Sequence, residues 1–338
     1  MSEGNCCGAS CCAAPVMQKT SATLALMDKL GALKARCGIG RANYRVAPGL
    51  YALGNPGSDS HVLVSANYKL TFDTLRKNLA GIDCWLLILD TKGVNVWCAA
   101  GKGTFGTEEL VSRIAQTGLS KIVAHRRLLL PQLGAPGINS GEVTRRSGFS
   151  VTFGPVRAGD IRPFLAAGCK TTREMRLVKF GFLDRLALVP VELAHAAKIS
   201  LAVFAAMFLV NLIAARPFGL ADFAIYCAAA LSGSLVAPIL LPFIPGRAFA
   251  FKGWLLGAIC AALIARGFGW FVRPDLLLGL GYMLALPAFS AYLAMNFTGA
   301  SAYTSFSGVI REMKIAVPAI ALAIVAGVAL VLIKSFGG

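Results

Sequence analysis

From about residue 197 onward the chain runs almost without charge for twenty residues at a time. A bilayer core about 30 Å thick needs about 20 apolar residues per helix. Five runs meet that length: 197–215, 223–244, 253–272, 276–297 and 315–333. They predict an all-α membrane domain over 186–338 with five transmembrane helices. The third run carries Arg266 near its end, which must snorkel or face protein. Pro238, Pro242, Pro287 and Pro318 fall within spans, where neighbouring helices can satisfy freed backbone groups.

The first 185 residues carry most of the charge and have ordinary globular composition, enough for a domain with its own core. The opening "MSEGNCCGASCC" is polar and has no apolar signal region. An odd number of spans puts the termini on opposite sides of the membrane. With the amino terminus inside, the cytoplasmic segments hold Arg176, Lys179, Arg185, Lys198, Arg247, Lys252, Arg311 and Lys314, against Arg216, Arg273 and Lys334 outside. The positive-inside rule favours that orientation. The expectation is a multi-pass protein of the inner (cytoplasmic) membrane, with its soluble domain in the cytoplasm, where thiols stay reduced. Asp222 and Asp275 sit at span ends and make no acidic relay, so the helices read as an anchor or docking platform. A net charge of +17 is scattered along the chain and partly juxtamembrane. Anionic membrane lipid accounts for it, and no motif points to nucleic acid.

Before the spans, apolar runs alternate with helical ones. "HVLVSAN" (61–67) reads as a buried strand, followed by the helical "YKLTFDTLRKNLAG". "CWLLILD" (84–90), "VNVWCAA" (94–100), "KIVAH" (121–125) and "FSVTFG" (149–154) are the next strands. "TFGTEELVSRIAQTG" and "AGDIRPFLAAG" are helices, the first stopped by Gly118. That alternation predicts an α/β domain over 43–185 with a mostly parallel, Rossmann-like sheet, behind a cysteine-rich segment over 1–42. Ligands of such sheets bind at the carboxyl ends of strands.

Cys98 and the run Gly101-x-Gly103-x-x-Gly106 fall at one such end. A Walker A loop is excluded, because Lys102 is followed by Gly103 and Val96 stands where a glycine is required. A dinucleotide fingerprint lacks its acidic residue about 20 positions on. Arg126 and Arg127 leave an NADP version open. A thiolate, by contrast, is a strong ligand for a soft or borderline metal. Glycines beside it would clear a surface on which a broad, flat cofactor could lie.

"NVWCAAGKGTFGTEEL" (95–110) closely resembles the signature of the corrinoid protein of microbial mercury methylation, which pairs a cytoplasmic corrinoid-binding domain with five membrane helices. The resemblance continues through "VLVSANYKLTFDTLR", "LPQLGAPG", "SGFSVTFGPVRAGDI" and "VPVEL". The domain also looks like the corrinoid-binding part of the large corrinoid iron–sulfur subunit of the acetyl-CoA pathway. The mercury resemblance implies a corrinoid of the cobalamin type, with Cys98 as lower axial ligand to cobalt. Asn95, Val96, Trp97, Ala99, Ala100, Gly101, Lys102, Gly103, Thr104, Phe105, Gly106 and Thr107 would form the cap around it. Asn67, Tyr68, Lys69 and Thr71, just after a strand, would line the corrin. It implies an enzyme, a methyltransferase passing a methyl group from cobalt to Hg(II) to give methylmercury. The partners implied are a methyltetrahydrofolate-linked methyl donor and a small ferredoxin-like protein with two 4Fe–4S clusters. Cys6, Cys7, Cys11 and Cys12 suit Hg(II) capture, since paired thiolates bind soft metals.

The sequence departs from these patterns in places. Gly141 stands where a bulkier polar residue is expected. "CCGASCC" lacks the spaced four-cysteine motif of the acetyl-CoA relative, so electrons would come from outside. Histidine is the usual alternative cobalt ligand. His61 follows Asp59, but Val64 replaces the glycine of that motif; His125 ends an expected strand and could approach the cofactor, and His195 precedes the first span. Two alternatives remain open: a methyl carrier of the acetyl-CoA-pathway type, and a membrane transporter with a cytoplasmic NADP-sensing domain.

Overall fold

The computed structural model describes residues 17–271, 275–300, 303–304 and 306–337. The four amino-terminal cysteines, Cys6, Cys7, Cys11 and Cys12, and Arg273 lie outside the described residues. Two compact units emerge: unit 1 holds residues up to Ala35 and Gly40–Val178, and unit 2 holds Arg36–Ile39 and Lys179–Gly338. A mixed α/β unit is followed by long apolar helices, as the sequence predicts.

Unit 1 is built on a six-stranded sheet of β1 (Gln18–Thr20), β2 (Gly49–Leu53), β3 (Val62–Ala66), β4 (Cys84–Leu89), β5 (Arg127–Leu130) and β6 (Ser150–Phe153). The spatial order is β1-β2-β4-β3-β5-β6. All pairings are parallel except β2 with β4. The central strands "VLVSA" and "CWLLIL" are buried along their whole length. They are continuous apolar runs because helices cover both faces of the sheet. The helices of unit 1 are α1 (Leu26–Arg36), α2 (Lys69–Asn78), α3 (Val96–Gly101), α4 (Thr107–Gln116), α5 (Leu119–Ile122), α6 (Ser140–Ser147) and α7 (Ile161–Ala166), with α2–α7 supplying the cover. One face packs Leu50, Val64, Leu87 and Leu89 against Ala99, Phe105 and Leu110. The other packs Leu53, Leu86 and Ile88 against Phe72, Leu79 and Phe164.

Two expected strands are corrected. Residues 94–100 form no strand. Val94, Val96 and Trp97 mimic a strand, but Asn95 caps a helix that starts at Val96. "KIVAH" is likewise no strand; Lys121 and Ile122 end α5, and β5 begins only at Arg127. His125 therefore precedes a strand instead of ending one. Its Nε2 lies 2.9 Å from the Ser60 carbonyl, at the amino end of the sheet and away from the carboxyl edge.

A charged cluster ties α1 to α2. Asp28 accepts from Lys69 Nζ and Arg76 Nη2, each at 2.7 Å, while Asp73 bonds the same two cations. Arg76 also donates to the carbonyls of Ser21 and Thr23. The Lys69 hydrogen bond, aided by Arg76 and against the cost of burial, holds the Asp28 carboxyl down at about 2. A depressed carboxylate stabilises the fold fully above its unfolded value of about 3.9, and that share is lost as pH falls through the folded value. The expected loss between pH 4 and 2 is about 2 kcal/mol. Pepsin nicking around α1 should rise across that window in the wild type; in Asp28→Asn it should already be fast at pH 4 and flat below.

Unit 2 comprises α8 (Phe182–Leu186), α9 (Val189–Asn211), α10 (Leu220–Leu231), α11 (Ala237–Leu240), α12 (Phe249–Gly267), α13 (Leu276–Asn296) and α14 (Phe306–Gly337). Five stretches are long and apolar enough to cross a membrane: Phe182–Asn211, Leu220–Leu240, Phe249–Gly267, Leu276–Asn296 and Ser307–Gly337. Each overlaps one expected span. Helix α13 is the hub, packed at small residues. A Cβ on Gly281 would come within 2.9 Å of the Gly327 carbonyl, and one on Gly257 within 2.6 Å of Ser290. Such close backbone approach is how helices associate where there is no water to expel. Between α10 and α11, Ser232–Val236 forms a π turn. Pro238 lacks an N–H and would clash with the carbonyl four residues back, which the wider turn relieves. Asp222 is buried and fully bonded, accepting from Tyr282 Oη at 2.6 Å and the Gly219 N–H at 2.7 Å, with Arg216 at 3.3 Å.

Candidate functional site at the carboxyl edge of the sheet

The site grows from Asn67, the first residue beyond β3. It is 1% exposed. Its Oδ1 accepts from Thr91 N, Thr91 Oγ1 and Gly93 N at 2.9–3.1 Å, and its Nδ2 donates to Asp90 Oδ1 at 2.9 Å. One side chain thus shapes the turn after β4. Gly93 closes that turn at φ +76, with the Ala42 carbonyl 3.0 Å from where a Cβ would stand. The turn delivers Asn95, whose Oδ1 accepts the Cys98 N–H at 2.9 Å as helix cap.

Helix α3 then divides by its period. Val96, Ala99 and Ala100 face the core, and Phe105, just beyond, is fully buried. Trp97, Cys98, Gly101 and Lys102 face solvent. Cys98 is the third residue of a helix, and the sequence expectation of a strand end is corrected to that extent. The glycines act differently from one another. Gly101 opens onto space with no atom within 4 Å of a Cβ, and so does Gly103 at φ +78. Gly106 is buried, where a Cβ would lie 2.8 Å from the Gly103 carbonyl. The run therefore ends a helix and turns back, with no strand-to-helix phosphate loop, and the dinucleotide reading has no geometry to rest on.

Beneath Phe105 lies the turn Gln132–Gly137 that follows β5. A Cβ on Gly134 would meet the Phe105 ring at 2.5 Å, and one on Gly137 the Phe105 carbonyl at 2.1 Å. These two glycines let the turn slide under α3 and seat it. From sequence alone this stretch has no assigned role; the Gly134-Ala-Pro-Gly137 spacing is its signal.

Beside α3 opens a cleft of about 400 Å³, at the carboxyl ends of β3, β5 and β6. Tyr68, Thr71 and Thr74 wall it on one side, Asn95, Val96 and Trp97 on another, and Pro131 and Pro155 on the third. Of the expected site residues, Tyr68, Thr71, Asn95, Val96 and Trp97 thus meet at this cleft. Cys98, Gly101, Lys102 and Gly103 form the open face next to it. Asn67 is spent on the turn and Lys69 on its ion pairs. Thr104 lies half-buried behind the helix, its N–H on the Ala99 carbonyl. Thr107 accepts the Asn139 N–H at 2.9 Å. The cysteines of unit 1 differ sharply. Burial, with Asp83 nearby, pushes the Cys84 thiol up to about 12, deep in β4, whereas Cys98 is exposed.

Comparison with known proteins bears on this same unit. The family model of the CO dehydrogenase/acetyl-CoA synthase delta subunit matches residues 17–165. That range holds every strand of the sheet and none of the five long helices. The gamma subunit of the acetyl-CoA decarbonylase/synthase complex of Methanopyrus kandleri is 35% identical over 127 residues, covering 37% of this chain and 27% of the relative. The gamma subunits of Archaeoglobus fulgidus and Methanocaldococcus jannaschii are 34% and 33% identical over 127 and 122 residues. The chain thus spans about a quarter of the length of the curated relatives it matches.

These matches correct the mercury-methylation resemblance. That resemblance is read from motifs spread over most of residues 45–195, whereas the family model and the curated relatives that align with this unit, at 33–35% identity over 122–127 residues, are acetyl-CoA subunits. Aligned similarity decides over likeness of motifs. Methyl transfer to Hg(II) falls with it, as do the assignment as a mercury methyltransferase and the implied partners: Hg(II), the two-cluster ferredoxin-like protein and the methyltetrahydrofolate-linked donor.

Proposed function

We propose that unit 1 is a corrinoid-binding module of the acetyl-CoA decarbonylase/synthase type, held at a membrane by unit 2. The observation that carries this reading is the open face of α3. A flat macrocycle with a soft metal at its centre needs an exposed ligand and a surface cleared of side chains. Cys98 is exposed on that face, and no atom lies within 4 Å of a Cβ built at Gly101 or Gly103. The residues present fit the group.

Cys98 would hold the cobalt through its sulfur, with Asn95 fixing the helix turn that presents it. Trp97 and Lys102 would border the ring, and Tyr68 and Thr71 would line its edge across the cleft. Val96, Ala99, Ala100 and Phe105 act from below, as the packed underside that keeps the face from shifting. A bound corrinoid supplies methyl-group transfer chemistry, and the protein's part is to place and tune it. The distribution of Lys and Arg supports unit 1 on the cytoplasmic side of the inner membrane. The partners this reading implies are other subunits of an acetyl-CoA decarbonylase/synthase-type complex.

Cobalt content and the anaerobic absorption spectrum test it, on the full chain supplied with corrinoid. About one cobalt per chain is expected from the single exposed thiol on the cleared face. In Cys98→Ala the cobalt should be lost or its absorption bands shifted. Equal spectra would remove Cys98 from the site, and no cobalt in either protein would end the corrinoid reading.

A further inference from the structure

Helix α1 is built inside out. At about 100° per residue, Leu26, Leu30 and Leu33 fall within about 60° of one another, with Met27 beside them. A stripe like this on a helix of a globular unit ordinarily faces the core. Here the four side chains are 70%, 45%, 57% and 76% exposed for Leu26, Leu30, Leu33 and Met27, and Ala35 is the one buried residue of the helix. Helices α2 and α4 do the reverse, burying Phe72 and Leu75, and Leu110 and Ile114.

The orientation is locked. Asp28, on the opposite side of α1, is clamped between Lys69 and Arg76, and it also takes the Ala25 N–H at 3.0 Å. Tyr44 Oη donates to the Asp28 carbonyl, and Gly31 packs so closely that a Cβ would stand 2.6 Å from that hydroxyl. Turning the leucines inward would break every one of these contacts. Along the two edges of the outward stripe stand Lys29 and Lys34, both exposed.

The geometry points to α1 as an interfacial helix: its Leu26–Leu30–Leu33 stripe docks into the surface of an anionic bilayer, with Lys29 and Lys34 on lipid phosphates. Three observations select lipid over a protein partner. Basic residues on both edges of an apolar stripe match a flat sheet of phosphates above hydrocarbon. Four side chains on one short helix fall well short of the roughly 800 Å² per partner that a stable protein interface buries. And the same chain carries five stretches long and apolar enough to cross a membrane, which would keep unit 1 near a bilayer and populate a weak surface contact through high effective concentration. The inference is independent of any cofactor on α3.

The test places a photoreactive benzoylphenylalanine at Leu30 in the full chain, held in nanodiscs of phosphatidylglycerol or of phosphatidylcholine. The same probe at Ser112, exposed on α4, is the control. Mass spectrometry then identifies what the probe captured. Lipid adducts at position 30, well above those at 112, are expected in the anionic discs. They should fall about tenfold in phosphatidylcholine, and equally in Lys29→Glu/Lys34→Glu, where two basic contacts are lost. Adducts to this chain or to a second copy would overturn the proposal. So would yields no higher than at position 112, or equal yields in the two lipids.

Discussion

Phe105→Ala should release the cap helix from the sheet. The ring is fully buried in the core beneath α3 and lies directly against Gly134 of the turn Gln132–Gly137. Truncating a buried phenylalanine typically costs about 3–5 kcal/mol, because packing is lost and a cavity stays behind. The neighbours cannot close that cavity cheaply. Gly134 and Gly137 have no side chain to move into it, and the 3₁₀ turn they belong to is held by Pro136. Hydrogen exchange read by peptide is the measurement. Amides of Val96–Gly101 and of 132–137 should exchange faster by about two orders of magnitude or more, at tenfold per 1.4 kcal/mol. Amides of α7, on the opposite face of the sheet, should change little. Phe105→Leu, which keeps most of the volume, should sit between. A loss of protection spread evenly over unit 1 would mean that Phe105 supports the whole fold and not the cap in particular.

Asn67→Ala should be nearly as costly by a different route. Removing the side chain strands the buried N–H of Gly93, at a cost of about 1–3 kcal/mol, while the Thr91 N–H keeps the Leu89 carbonyl. With the Thr91 N–H, its hydroxyl and Asp90 each losing one partner and keeping another, about 2–4 kcal/mol is expected. The effect should concentrate in residues 90–95, the turn that carries Asn95 to its capping position. Asn67→Asp separates donor from acceptor. It keeps the acceptor for three donors but sets a carboxylate against Asp90, so its defect should shrink as pH is lowered, whereas that of Asn67→Ala should not. If the two variants behave alike at all pH values, the Asp90 contact carries no weight.

The stretches long and apolar enough to cross a membrane were legible because length and composition alone decide them: twenty apolar residues in a row have few uses. Strands β3, β4 and β6 were legible for a similar reason, as continuous β-branched or leucine-rich runs bounded by turns. Helix α3 was not. Its six residues are too few to show a helical period, and Val94 and Val96 alternate as a strand would, with the bulky Trp97 beside them. The deciding signal was Asn95 three residues before Cys98, a cap and its recipient. Strand β5 was placed too early because Val123 reads as strand, although Gly118 at φ +58 starts one more short helix that uses those residues. Strands β1 and β2, of three and five residues, have no sequence period at all and exist through their pairing. At the site, chemistry was easier to read than support. Cys98 announces itself by its glycines, but nothing in the sequence says that Asn67 holds the turn or that Lys69 is spent on Asp28 and Asp73. Those are long-range pairings, and only the fold makes them.

The antiparallel strand β2 has a practical consequence. Because it runs against β4, the chain before it arrives at the same edge of the sheet as α3, where Val46 N–H bonds the Asn67 carbonyl and Arg45 bridges to Tyr68. A truncated fragment beginning after Leu53 would lose that fringe. It would also bare one whole side of "CWLLIL" as an unpaired strand edge, the kind of template on which chains aggregate. Anyone producing unit 1 for expression should start upstream of β1, at or before Met17.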